Sequence, residues 1–210
     1  MKKLLIMKGA YYVGVIITKT KQYILLCIVM INRNYDGEDF KNDIAIAAQA
    51  ERILFDCVDA ELGLNYDVQL KTDDSAWYKR GDVAILDYNG KDIGIDAKDD
   101  GICYRTGNIF VEEYIDWKYY YTDGWIKAKY DVLAIVSQED SKIYFIDFPR
   151  LQKEYKQLRW RSHVPSYFNK HTCWGSLVKI DKLRSEGLLL AEVTYTGDEQ
   201  KGYHINEKIA

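Results

Sequence analysis

Between residues 81 and 98, apolar and polar positions alternate with a period of two. Val83 and Ile85 form one run and Ile93 and Ile95 the next, with Tyr88-Asn89-Gly90-Lys91 between them. β-Branched residues at that period, split by an Asn-Gly turn, predict a β-hairpin. Side chains two apart on a strand point the same way. Asp82, Ala84 and Leu86 are therefore expected on one face of the first strand, and Asp96 and Lys98 on one face of the second. Because paired strands lie less than about 5 Å apart, two carboxylates and an ammonium are expected to converge. Hard divalent cations such as Mg2+ take carboxylate, carbonyl and water oxygens, the donors that such a cluster offers.

Upstream, the period changes to that of a helix. Ile44, Ala47, Glu51, Leu54 and Val58 fall on one stripe, with Asn42 or Asp43 as N-cap and Gly63 as the stop. Glu51 sits on this largely apolar stripe, either as a boundary residue paired with Arg52 or a neighbouring turn, or as part of the acidic cluster. Residues Tyr66 to Lys71 predict a strand that leads through the polar loop Thr72 to Ser75. After a turn at Asp99-Asp100-Gly101, three further strands are predicted at Asn108 to Tyr114, Asp131 to Val136 and Lys142 to Asp147, the last two separated by a turn at Gln138 to Ser141. The order of elements predicts an α/β fold, a central mixed β-sheet flanked by α-helices.

The two ends read differently. Near the N-terminus, apolar runs at Ala10 to Ile17 and Tyr23 to Ile31 flank the polar stretch Thr18 to Gln22. Each is too short to span a bilayer, and together they suggest a hairpin. Residues 1–31 are taken as an apolar extension, with a natural start at Met30 as one alternative. At the other end, Arg150 to Arg184 holds nine Lys or Arg and two acids, a local net of +7 against −10 for the rest of a chain whose total is −3. Leu151 to Trp160 predicts a helix in which Lys153, Lys156, Arg159 and Arg161 interleave with Tyr155 and Trp160, a mixture suited to phosphate contacts and base stacking. A solvated basic face is the plainer alternative. Pro165 is expected to break the segment, Ser176 to Ile180 to form a strand, and the polar tail from Tyr195 to fray.

Composition narrows the classes. With 210 residues, 48% hydrophobic and 29% charged, the chain is of ordinary globular make-up and large enough to bury a core. Eighteen Tyr against two Pro favour strands first and stacking surfaces second. Cys27, Cys57, Cys103 and Cys173 form no CxxC pair, which argues against a structural zinc site and suits a reducing, cytoplasmic setting. A Walker loop and GxGxxG are both absent, so no nucleotide cofactor is expected. The three His residues lie in the C-terminal quarter, and His171 beside Cys173 is too unspecific to define a nucleophile and base.

Asp82 followed by Asp96-Ala97-Lys98 resembles the PD-(D/E)xK nuclease superfamily, with Gly81 where the motif has Pro. The resemblance covers roughly Asp43 to Phe148. The run Gly107 to Glu112, followed by Asp123-Gly124-Trp125-Ile126 and Lys127 to Tyr130, is similar to small phage-type members. It implies a restriction-endonuclease-like core at residues 32–149, with 150–210 as a basic subdomain completing the same domain. The implied activity is Mg2+-dependent DNA hydrolysis, Mn2+ substituting. Asp82, Asp96 and the Ala97 carbonyl would be ligands together with Glu51, and Lys98 would orient the attacking water. Glu112 would be a further acid near the site. DNA is the implied partner through Lys153, Lys156, Arg159 and Arg161, a homodimer is left open, and the setting is the host cytoplasm if the chain is phage-encoded. One rival is a non-catalytic DNA-binding or phage inhibitor protein of the same fold. The other is a structural or membrane-associated protein resting on residues 10–31.

Overall fold

The computed structural model describes residues 11–14, 29–32, 37–70, 81–86, 92–116, 121–168 and 171–209. The chain divides into two units, Met1–Asn42 and Asp43–Ala210. In the first, β1 (Tyr11–Gly14) and β2 (Val29–Asn32) pair antiparallel, with Met30 opposite Val13. The rest of the predicted N-terminal hairpin, the loop at 72–75 and the turn at 88–91 lie outside the described residues.

The second unit is α/β. Its larger sheet has seven strands in the order β13-β12-β9-β8-β5-β4-β3. These are β3 (Asp67–Leu70), β4 (Val83–Leu86), β5 (Asp92–Asp99), β8 (Val132–Ser137), β9 (Lys142–Asp147), β12 (Leu189–Asp198) and β13 (Gly202–Ile209). Only β5 and β8 are parallel; every other neighbouring pair is antiparallel, so the sheet is mixed. A separate antiparallel sheet, β10-β11-β6-β7, is built from β6 (Asn108–Asp116), β7 (Tyr121–Asp123), β10 (Arg161–Phe168) and β11 (His171–Lys179). The strand expected at Asn108 thus forms but joins this second sheet. Its register opposite β11 selects that partner, from Asn108 facing Lys179 to Asp116 facing Thr172.

Both faces of the large sheet are covered, so the central strand β8 is apolar at consecutive positions. Ala134 and Val136 face one way, with Val83, Ile95 and Ala97, and meet Ala50, Ile53, Leu54, Cys57 and Val58 of helix α1 (Gly37–Leu62). Leu133 and Ile135 face the other way, toward Phe148, Leu151 and Tyr155 of α3 (Phe148–Leu158) and toward Ile109, Val111 and Val178 of the second sheet. Each Val, Leu, Ile or Phe among them contributes about 1.5–3 kcal/mol on burial. Asp147 caps α3, its carboxylate accepting from the Arg150 amide at 3.0 Å, and Pro149 occupies the first turn where no amide is needed. A short helix α2 (Cys103–Thr106), a 3-10 turn (Trp125–Lys127) and α4 (Ile180–Ser185) complete the unit.

Four expectations are corrected. Helix α1 starts at Gly37, upstream of Asn42 and Asp43, and among its residues from 45 on the first buried one is Ala50, while Ala47 is exposed. Pro165 lies within β10 rather than ending a segment. This strand is a sheet edge, where a missing amide costs little, and its register shifts between Arg161 and Val164, around His163 at φ 54°. The tail from Tyr195 is ordered as part of β12 and β13. Val193, Tyr195 and Tyr203 are buried with the α1 cluster, and the rings of Tyr195 and Tyr203 meet edge to face at 5.9 Å. The polar residues that suggested fraying are the outer face of this edge hairpin. Tyr155, read as a stacking residue, is buried against the sheet because it lies on the same helical face as Phe148 and Leu151.

Candidate functional site

Strand β4 pairs with β5 from Leu86 opposite Asp92 to Val83 opposite Ile95. One further step of the same register sets Asp82 against Asp96. Here β4 ends while β5 continues to Asp99, held on its other side by β8, with Asp96 opposite Leu133 and Lys98 opposite Ile135. Among the described residues no strand pairs with the second half of β5 on that side, and Asp82 stands at its start. The Ala97 amide donates to Asp82 Oδ2 at 2.8 Å, replacing the ladder bond that β4 no longer supplies. In a strand a residue's carbonyl points to the same side as its amide, so the Ala97 carbonyl is directed to that side too.

Gly81 makes this possible. Its φ is +106°, and a Cβ placed there would lie 2.6 Å from both the carbonyl carbon and oxygen of Ile95. Glycine is required where the backbone crosses so close to another strand.

Asp96 is 7% exposed. Lys98 Nζ lies 2.6 Å from its Oδ2, an ion pair. The contact falls outside hydrogen-bond geometry, and Oδ2 is buried with no hydrogen bond. Burial, and then the negative charge of Asp96, push the Asp82 carboxyl up to about 7, while Lys98 and the Ala97 amide oppose the shift and Glu51 adds a smaller upward push. Glu51, on α1, is half-buried. Burial raises its carboxyl, Lys98 pulls it down and Asp96 raises it. The fold thus brings Glu51, Asp82, Asp96 and Lys98 into one electrostatic neighbourhood. Arg52, one of the alternative partners for Glu51, pairs with Asp56 at 2.7 Å.

The donor set, two carboxylates and a backbone carbonyl, consists of the hard oxygens that suit a divalent cation. Among the described residues, no group of three or more His, Cys, Asp or Glu side chains is already gathered closely enough to hold a metal ion.

Glu112 stands on β6 with Oε1 accepting from the Trp125 amide at 3.3 Å. It is linked to the cluster through Tyr130, whose hydroxyl is raised by burial first and then by Asp96, Asp82 and Glu112. Tyr130 escaped sequence reading because it lies in an irregular stretch before β8, where no periodicity marks it. Asp131, next to it, accepts from the Gly94 amide through Oδ2 at 2.9 Å and donates its own amide to the Gly94 carbonyl at 3.0 Å, locking the start of β8 to β5.

The four basic residues predicted to meet phosphate do not share one role. Lys153 and Lys156 are exposed on α3 and Arg161 is exposed on β10. Arg159 is half-buried, paired with Glu113 at 3.3 Å beside Ser176. Other cations of the basic stretch are also committed: Arg150 to Glu154, Lys182 to Glu186, and Arg184 to Glu192 and Asp181. Trp160 is 53% exposed, its indole N–H donating to Asn108 Oδ1 at 2.8 Å. Among the described residues no helix is long and apolar enough to cross a membrane.

No protein-family model, curated protein or solved structure matches the chain.

Proposed function

We propose that the protein is a Mg2+-dependent endonuclease that hydrolyses DNA phosphodiester bonds, with a restriction-endonuclease-like core. The observation that supports this reading most is the pairing of Asp82 with the Asp96-Ala97-Lys98 segment where β4 ends beside β5. Two carboxylates, a backbone carbonyl directed outward and an ammonium are the groups that phosphodiester hydrolysis uses.

Asp82, Asp96 and the Ala97 carbonyl would hold the cation, with Glu51 the further carboxylate of the neighbourhood. When bound, a divalent cation supplies charge neutralisation at the phosphate oxygens and lowers the pKa of a coordinated water. Lys98 orients the attacking water and steadies the charge that develops on the phosphate. Its contact with Asp96 favours the ammonium form, which suits an electrostatic role better than that of a base. Lys153, Lys156 and Arg161 would contact the DNA backbone, with Arg159 holding β6 through Glu113.

Incubating plasmid, linear and branched DNA with the full chain and Mg2+, Mn2+ or EDTA tests the proposal. Metal-dependent cutting that Asp96→Asn removes is the expected result. DNA binding without cutting in any metal would instead indicate a binding protein of the same fold.

A further inference from the structure

Two buried polar atoms at the site, Asp96 Oδ2 and the hydroxyl of Tyr130, make no hydrogen bond of full geometry, although Oδ2 lies 2.6 Å from Lys98 Nζ. They belong to residues 7% and 6% exposed. Asp96 stands opposite Leu133 of β8, and Tyr130 packs in the same cluster as Leu133, which sets hydroxyl and carboxylate on one side of the sheet. After burial, Asp96 is the strongest influence on the hydroxyl, by its charge and by a side-chain hydrogen bond. Packing explains the ring of Tyr130 but not its oxygen. The ring stacks on Phe148 at 3.8 Å and 24° inside an apolar cluster with Leu133 and Phe148, where Phe would serve as well. Its backbone is also fixed. Asp131 is tied to Gly94 by two hydrogen bonds, and its carbonyl accepts the Phe148 amide at 3.2 Å. The hydroxyl is thereby held at a set position beside the strand that carries Asp96. Buried polar groups are nearly always hydrogen-bonded, so this hydroxyl calls for a partner.

We propose that Tyr130 is a positioning residue whose hydroxyl donates to the Asp96 carboxylate, turning that carboxylate's other oxygen toward the cation. The inference rests on the nuclease reading and adds to it a residue outside the D…DxK motif. Of the carboxylates around Tyr130, Asp82 and Glu112 act on the hydroxyl through charge alone, whereas Asp96 acts through a side-chain hydrogen bond as well, which makes Asp96 the acceptor. Partners of this kind orient ligands and typically change metal affinity by about 10- to 100-fold when lost.

The test uses the full chain and Tyr130→Phe, which keeps the ring and removes the oxygen. Mn2+ affinity is measured by calorimetry at neutral pH, alongside the metal-free melting temperature. The expected result is a Kd weakened about tenfold or more, with a melting temperature equal to or above that of the wild type. An unchanged Kd overturns the positioning role and leaves the nuclease reading in place, since wild-type Mn2+ binding is seen in the same experiment. A Kd change that only tracks a lower melting temperature overturns it as well, by assigning the hydroxyl to structure. If the wild type binds no Mn2+ and Asp96→Asn changes neither binding nor cleavage, the nuclease reading fails and this inference falls with it.

Discussion

Asp82 Oδ2 accepts the Ala97 amide at 2.8 Å, so the carboxylate that opens the site is also the last rung between β4 and β5. Structure and chemistry are coupled there, and substitutions at Asp82 separate by shape. Asp82→Asn keeps an oxygen for the Ala97 amide, whereas Asp82→Ala leaves that partly buried donor without a partner, at a cost of about 1–3 kcal/mol. Urea unfolding of the two variants at one pH should rank Asn above Ala by that margin.

The same carboxylate should make stability depend on pH. Its folded value of about 7 lies above the ordinary 3.8, chiefly through burial and then through Asp96. Between those values the folded chain keeps a proton that the unfolded chain has released. The stabilisation from this group is therefore fully present below about pH 4 and lost as pH rises through about 7. Metal-free protein should melt lower at pH 8 than at pH 6. Asp82→Asn should raise stability at pH 8 by roughly 1–2 kcal/mol and flatten the trend, as read by thermal melts across that range.

Gly81 offers a test of backbone placement. Its φ of +106° and the 2.6 Å approach to Ile95 leave no room for a side chain. Gly81→Ala should cost roughly 1–3 kcal/mol from the strained conformation alone, with the overlap adding to it. Denaturant midpoints should fall accordingly, and metal affinity should weaken because Asp82 follows directly.

Much of this architecture was legible in the chain. The period-two runs around residues 83–95 and the short apolar runs at 132–136 and 142–147 gave the strands, and the spacing of two put Asp96 and Lys98 on one face. Other features were hidden because they depend on contacts between distant segments. Tyr130 reaches the site only because β8 lies parallel to β5. Asn108 to Asp116 reads as a strand whichever sheet it joins. The C-terminal hairpin was obscured because Val193, Tyr195 and Tyr203 alternate with Thr, Glu and Gly, which reads as a polar tail until α1 covers one face.

That hairpin gives a further prediction. Tyr203→Ala removes a buried ring that meets Tyr195 at 5.9 Å, and should destabilise the fold by roughly 3 kcal/mol. A loss under about 0.5 kcal/mol, the range of ordinary surface changes, would mean that the tail is frayed after all.

For DNA binding measured in Ca2+ to prevent turnover, Lys153, Lys156 and Arg161 changed together to Gln should flatten the salt dependence. The change should reach up to about three contacts' worth, each roughly 0.9 in slope, and weaken all sequences alike. Arg159→Gln should instead lower stability, since its guanidinium is committed to Glu113. An unaltered slope in the triple variant would place the DNA path on another surface.

The central claim is that Asp96 anchors a metal-dependent nuclease site, and cleavage of plasmid, linear and branched DNA by wild type and Asp96→Asn, in Mg2+ and in EDTA, tests it most directly. The account predicts cutting by the wild type in Mg2+, none in EDTA, and a loss of at least about 100-fold in the variant with its melting temperature maintained. Cleavage by Asp96→Asn at the wild-type rate would contradict it.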